Sequence, residues 1–295
     1  MPEAKQILKK VRNFDIRTKN LVDGLMQGPY LSAFKGRGIE FSDVREYVPG
    51  DDIRSIDWNV TARMGQPYIK EFVEERDLTA IIVFDASKSS DFGTQMALKR
   101  QQGIEIAASL AMSATMNNDR IGLLISTEDV EKFIPPKKGR KQALRIIREL
   151  VYCPLKHRGT NLAKPLEFLS GIIKRKAIVF VISDFMIDTK EIEKPISILS
   201  RRNDVVCIKL EDEREFQIPD IGMIELEDNE TGETVLVDTS DGEFREKYAE
   251  IAAQKEKETI DFFRKKKIDC INISTSREWV LDMQKFFKQR KRKYR

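Results

Sequence analysis

The chain has 295 residues, 41% of them hydrophobic, and a formal net charge of +4, so it can bury a sizeable core in one large or two modest domains. Lys285 to Arg295 holds seven Lys or Arg and no acid, and removing those seven from +4 leaves a body near −3. That balance argues against a nucleic-acid binder, which spreads basic charge over a folded face.

Cys153, Cys207 and Cys270 are far apart in sequence, in or beside apolar runs, and read as buried reduced thiols of a reducing compartment. Met1 to Lys10 has lysines without an apolar h-region, and no window reaches the ~20 apolar residues of a membrane span. The expected location is cytoplasmic.

Ala4 to Phe14 sets Ile7, Leu8, Val11 and Phe14 at helical spacing, after which glycine, proline and aromatic residues dominate through Arg63. Within this region Glu40 to Trp58 reads EFSDVREYVPGDDIRSIDW, a mixture poor for a core and suited to a folded polar platform. Pro49-Gly50-Asp51-Asp52 is a tight-turn signal, and Arg45, Arg54 and Arg63 have Asp51, Asp52, Asp57 and Glu71 as candidate partners. A boundary is placed near Asp77, dividing residues 1–77 from an α/β body over 78–288 and a basic tail over 289–295.

From Leu78 onward strand and helix patterns alternate, the signature of a mostly parallel sheet with helices on both faces. Leu78 opens a strand through Ile81 to Phe84, followed by a small-residue helix over Gln95 to Met116 and a strand over Arg120 to Ser126. Val130 to Ile134 reads as a short edge strand ended by Pro135-Pro136, since proline cannot serve a central ladder. Helices follow over Arg140 to Tyr152 and Leu162 to Ile173, with Pro165 tolerated in a first turn. Ala177 to Ser183 is a second fully apolar strand. A helix through Ile192, Ile196 and Leu199 leads to a strand over Asp204 to Leu210. Ile218 to Asp238, with its turn at Asn229 to Gly232, predicts a hairpin. Phe244 to Lys266, Ile268 to Ile273 and Ser276 to Lys288 predict a charged helix, a last strand and a last helix.

The first apolar strand empties into Asp85-Ala-Ser87-Lys-Ser89, a D-x-S-x-S turn at a strand's carboxyl end, where open α/β sheets place their ligands. One carboxylate and two hydroxyls suit magnesium or manganese rather than zinc. Two further loops offer oxygen: Arg158-Gly159-Thr160-Asn161 before a helix, and Ser183-Asp184 at the end of the second apolar strand. If those strands are neighbours, the three loops meet where strand order reverses. The competing reading has Thr160 and Asp184 as helix caps.

Asp85, Ser87, Ser89, Thr160 and Asp184 resemble, in chain order and loop placement, the metal-ion-dependent adhesion site of the von Willebrand factor A family. The resemblance implies a Rossmann-like three-layer α/β fold. It also implies that Ser87, Ser89 and Thr160 bind Mg2+, with Mn2+ possible, while Asp85 and Asp184 hold the ion's waters. A partner's Glu or Asp would then complete the coordination shell.

The segment Glu40 to Trp58, with Ala62-Arg63 and Tyr68 to Glu71, closely resembles the signature of the bacterial domain-of-unknown-function fifty-eight family. That resemblance implies an adaptor or chaperone-like role beside a MoxR-type AAA+ ATPase. Arg45, Tyr47, Asp51, Asp52, Arg54, Asp57 and Trp58 are the candidate docking residues.

Three functions therefore compete. They are a non-enzymatic metal-dependent interaction module, a metal-dependent hydrolase built on Asp51, Asp52 and Asp57, and a structural subunit in which no ion binds. His157, the single histidine, has no nucleophile to serve. Neither a P-loop nor a G-x-G-x-x-G follows a strand. The tail Lys288 to Arg295 reads as a solvated terminus, or as a weak attachment to an anionic membrane surface aided by Phe286 and Phe287.

Overall fold

The computed structural model describes residues 40–73, 78–88, 98–157, 159–227 and 234–293. The chain divides into two compact units, one spanning Lys35–Asp77 and the other holding Leu78–Arg295. The helix expected over Ala4 to Phe14 and the turn Asn229 to Gly232 lie outside the described residues.

In the smaller unit β1 (Glu40–Glu46) pairs antiparallel with β2 (Tyr68–Val73). A short 3-10 turn at Ile53–Ser55 and helix α1 (Trp58–Met64) lie between them in sequence. Each start is capped from the sequence. Asp52 accepts from Arg54 N–H, Asp57 accepts from Asn59 and Val60 N–H, and Gly65 ends α1 with φ 73°, a conformation that favours glycine.

The larger unit runs β3 (Thr79–Asp85), α2 (Lys99–Met116), β4 (Arg120–Ser126), β5 (Val130–Lys137), α3 (Arg140–Tyr152), α4 (Ala163–Ile172) and β6 (Ile178–Ser183). It continues with α5 (Thr189–Arg202), β7 (Asp204–Glu211), the hairpin β8 (Met223–Glu227) and β9 (Thr234–Asp238), α6 (Gly242–Lys265), β10 (Asp269–Ser274) and α7 (Trp279–Lys293). Six strands form one sheet in the order β10-β7-β6-β3-β4-β5, and only the β4–β5 pair is antiparallel.

Every residue of β6 is buried, as are all of β3 but Thr79, because helices cover both faces. Ile82 and Phe84 share one core with Ile106 and Leu110 of α2, Ile147 of α3 and Phe287 of α7. Ile81 and Val83 point to the other core, with Leu166 of α4, Ile196 of α5 and Phe263 of α6. This alternation along β3 makes the three layers. Gly103 lets α2 lie close to the sheet, since a Cβ there would come within 2.9 Å of Leu210 Cδ1 and 3.0 Å of Phe84 Cε2.

Two expectations are corrected. β5 does not stop at Pro135-Pro136 but continues to Lys137. It is an edge strand with one partner, its register against β4 shifts between Ile121 and Leu123, and Gly122 opposite leaves room for Pro136, so the missing N–H groups break no central ladder. Nor are residues 289–295 a solvated tail throughout, because α7 runs on to Lys293. Arg290 is only 3% exposed and pairs with Asp204 and, at 3.0 Å, with Asp269. Phe287 is buried and Phe286 packs on the same core, so this pair of rings is spent on folding rather than on a membrane surface.

Cys207 and Cys270 sit opposite each other in the β7–β10 register, and all three thiols are free. Burial pushes the Cys270 thiol up to about 12. No helix among the described residues is long and apolar enough to cross a membrane.

Candidate functional site

Strands β3 and β6 are parallel neighbours, with Phe84 opposite Ile182, so Asp85 and Asp184 leave the sheet side by side. The chain moves to one side from β3 to β4 and to the other from β6 to β7. This edge is therefore the reversal point at which open α/β sheets bind ligands.

Asp85 is buried, its Oδ1 accepting Ser87 N–H at 3.0 Å and its Oδ2 accepting the Ser183 hydroxyl at 2.7 Å. Ser183 Oγ in turn accepts Phe185 N–H at 2.9 Å. Phe185 has φ 53°, an unfavourable left-handed conformation for a bulky residue. It is held there by burial and by an edge-on contact with Phe263 at 5.1 Å between ring centroids. The strained turn aims Asp184 back over its own loop, where Oδ1 accepts Met186 N–H at 3.1 Å.

Asp184 Oδ2 receives the Lys99 ammonium at 2.8 Å, and Lys99 also pairs with Glu215. Burial works to lower the Lys99 pKa, but Asp184 and Glu215 outweigh it and hold it above its ordinary value. Burial also pushes Glu215 up despite the Lys99 charge. The Asp85 carboxyl rises to about 6, first through burial and then through the Asp184 charge, against the hydrogen bonds from Ser87 and Ser183.

The loop that carries Thr160 is tied to the carboxyl end of β4, because Asn161 N–H donates to Thr127 O at 3.0 Å. Asp85 lies opposite Ser126 in β4, so this loop belongs to the same sheet edge. Thr160 is half-buried. The structure thus brings Asp85, Ser87, Thr160 and Asp184 to one edge, while Ser89 lies outside the described residues. The caps seen at the two helix starts come from other residues. α4 begins at Ala163 with no side-chain cap from Leu162 before it, and Asn161 Oδ1 takes Lys164 N–H at 3.2 Å. Asp188, not Asp184, caps α5.

The donor set fits a hard cation. Its donors are carboxylate and hydroxyl oxygens, and the elevated Asp85 carboxyl marks a surplus of buried negative charge that an added cation would relieve. Among the described residues no three His, Cys, Asp or Glu cluster as a metal site, so an ion here would lean on hydroxyls.

In the smaller unit the candidate docking residues divide by role. Arg45 makes two 2.8 Å bonds to Asp51, which also accepts Val48 N–H at 2.9 Å. The Arg45 hydrogen bond holds the Asp51 carboxyl below its usual range. Asp52 and Asp57 cap successive helical turns. Each acid of the hydrolase reading is therefore committed to its own turn, ion pair or cap. Tyr47 is half-buried and its N–H donates to Pro67 O at 2.8 Å, whereas Arg54 is exposed and Trp58 is 67% exposed.

His157 donates its backbone N–H to Glu131 and sets Nδ1 3.0 Å from the same carboxylate; it braces the loop before Thr160.

Sequence reasoning missed Lys99 and Glu215, and named Ser183 without its bond to Asp85. Lys99 had a signal: it is in phase with Gly103, Ile106 and Leu110 on the buried face of α2, where a lysine is out of place. Beside Asp184 a cavity of about 480 Å³ is lined by Met186, Lys190, Lys209, Glu215, Phe216 and Thr259.

Strand order and the one antiparallel edge strand of the six-stranded sheet are those of a three-layer α/β fold of the von Willebrand A type. The chain belongs to the family described as "Protein of unknown function DUF58", matched over residues 43–258. Among its relatives, an uncharacterized protein of Mycobacterium tuberculosis is 29% identical over 284 residues, covering 96% of this chain and 89% of that one. YeaD of Bacillus subtilis is 27% identical over 109 residues, covering 37% and 25%. Similar solved structures include an aerotolerance-related membrane protein from Bacteroides fragilis, at 15% identity and TM-score 0.48, covering 73% of this chain and 99% of that one. BatB from Bacteroides thetaiotaomicron has 13% identity and TM-score 0.45, covering 74% and 98%.

Proposed function

We propose that the protein is a non-enzymatic interaction module that captures a Glu or Asp side chain of a protein partner at the carboxyl edge of β3 and β6. The observation that carries this reading is the pair of buried carboxylates, Asp85 and Asp184, leaving adjacent parallel strands beside the hydroxyl of Ser87. Ser87, Ser89 and Thr160 would hold Mg2+, or Mn2+, with Asp85 and Asp184 orienting its waters. The bound ion supplies an electrophile with one position open to a partner's carboxylate. The partner proposed, from what the resemblance around Asp51 implies, is a MoxR-type AAA+ ATPase, with an adaptor role in the cytoplasm. The exposed Trp58 and Arg54 offer that partner a second contact.

Calorimetric titration of Mg2+ into the wild-type chain and Asp85→Ala tests the site, with heat expected from the wild type alone. Equal, negligible heats from both would remove it. Capture of the ATPase with and without EDTA then tests the partner.

A further inference from the structure

Lys99 is in a place that ordinarily rejects lysine. It is the first residue of α2, where the helix dipole disfavours positive charge, and it is fully buried, where an ammonium persists only against acids. It is held by Asp184 Oδ2 at 2.8 Å and by Glu215.

Asp184 is also the carboxylate that the cation reading needs free to orient an ion's waters. Its other oxygen already accepts Met186 N–H, so both carboxylate oxygens are engaged before an ion's water comes to Asp184. An ammonium bonded to Asp184 and a divalent cation one water away repel strongly, since little bulk water screens them at a buried site. Glu215 already pairs with the same ammonium and can hold Lys99 when Asp184 is given up.

We infer that Lys99 is a built-in competitor of the divalent cation: its ammonium occupies Asp184 at rest, and an ion engages Asp184 only as Lys99 shifts its hold to Glu215. The inference rests on the cation reading of this edge. It explains how a site with a surplus of buried acid can fold before any ion arrives. It also makes Glu215, which lines the cavity beside Asp184, the residue that registers the change.

The test uses the full chain as wild type, Lys99→Met, Lys99→Met/Asp85→Ala and Lys99→Met/Glu215→Gln. The last removes one of the stranded acids, and it replaces the single variant if that does not fold. Calorimetry with Mg2+ and electron paramagnetic resonance with Mn2+ read affinity, and melting with and without Mg2+ reads linkage. Loss of Lys99 is expected to tighten Mg2+ binding at least tenfold, to make melting strongly Mg2+-dependent, and to do neither once Asp85 is also removed. Asp85-dependent binding by the wild type, with no tightening in the Lys99 variants, overturns the inference and leaves the cation reading standing. Binding by the Lys99 variants alone supports the inference and refutes ion loading of the unaltered chain. No binding by any form overturns both.

Discussion

The Ser183 hydroxyl donates to Asp85 Oδ2 at 2.7 Å, joining the last residues of two adjacent strands, β3 and β6. Ser183 Oγ also accepts from Phe185 N–H, so the strained turn after β6 and the start of the loop after β3 are held by one side chain. Asp85 is thereby fixed in position, and burial beside Asp184 still pushes its carboxyl up.

Stability should depend on pH through Asp85. Its carboxyl sits at about 6 in the fold against an ordinary 3.8, so between these values the folded chain binds the proton that the unfolded chain has lost. Stability from this group therefore falls as pH rises through that window, and the penalty is fully present above it. The size is on the order of 3 kcal/mol at 1.36 kcal/mol per unit. In EDTA, urea denaturation at pH 4.5 and 7.5 should show a smaller loss for Asp85→Asn than for wild type. Equal losses would show that Asp85 is not the strained acid.

What was legible in the sequence follows from burial. β3 and β6 are covered on both faces, so they read as unbroken apolar runs, and the turns that end them could be placed before their neighbours were known. Lys99 and Asp184 are 85 positions apart and Lys99 and Glu215 are 116 apart. No local pattern encodes such pairs: helical phase places Lys99 on the buried face of α2 but does not say which acids meet it. The same holds for Arg290, whose partner Asp204 is 86 positions away. The proline pair in β5 misled because the rule against proline in strands concerns ladders with partners on both sides.

Arg290 should matter to stability far more than its basic surroundings suggest. Its guanidinium is buried against Asp204 and Asp269, and removing one partner of a buried pair typically costs about 3–5 kcal/mol. The lower end applies here, because both acids are partly exposed. Arg290→Met should lower the urea midpoint clearly, whereas Arg292→Met, at an exposed position, should leave it within error. Matching midpoints for the two variants would restore the free-tail reading.

Gly103→Ala sets two effects against each other. Alanine gains about 1 kcal/mol of helix propensity. Its Cβ would meet Leu210 and Phe84 at 2.9 and 3.0 Å, and overpacking of this kind costs about 1–3 kcal/mol. The contacts are to side-chain ends in a core shared by three elements, so packing should win, with a net loss on the order of 1 kcal/mol. A chain stabilised by the substitution would mean that α2 does not approach the sheet this closely.

Trp58→Ala should separate folding from docking. The ring is 67% exposed at the first position of α1, and substitutions at such surface sites usually change stability by no more than about 0.5 kcal/mol. A tryptophan at the centre of an interface contributes about 2 kcal/mol or more, equivalent to roughly 30-fold in affinity. The variant should therefore melt like the wild type and, if the proposed ATPase is the partner, bind it at least ~30-fold more weakly. Asp52→Ala is the contrasting case: it removes a cap worth about 1 kcal/mol, so it should lower stability with little effect on affinity. If Trp58→Ala instead loses stability and keeps affinity, the ring supports the fold and the docking surface lies elsewhere.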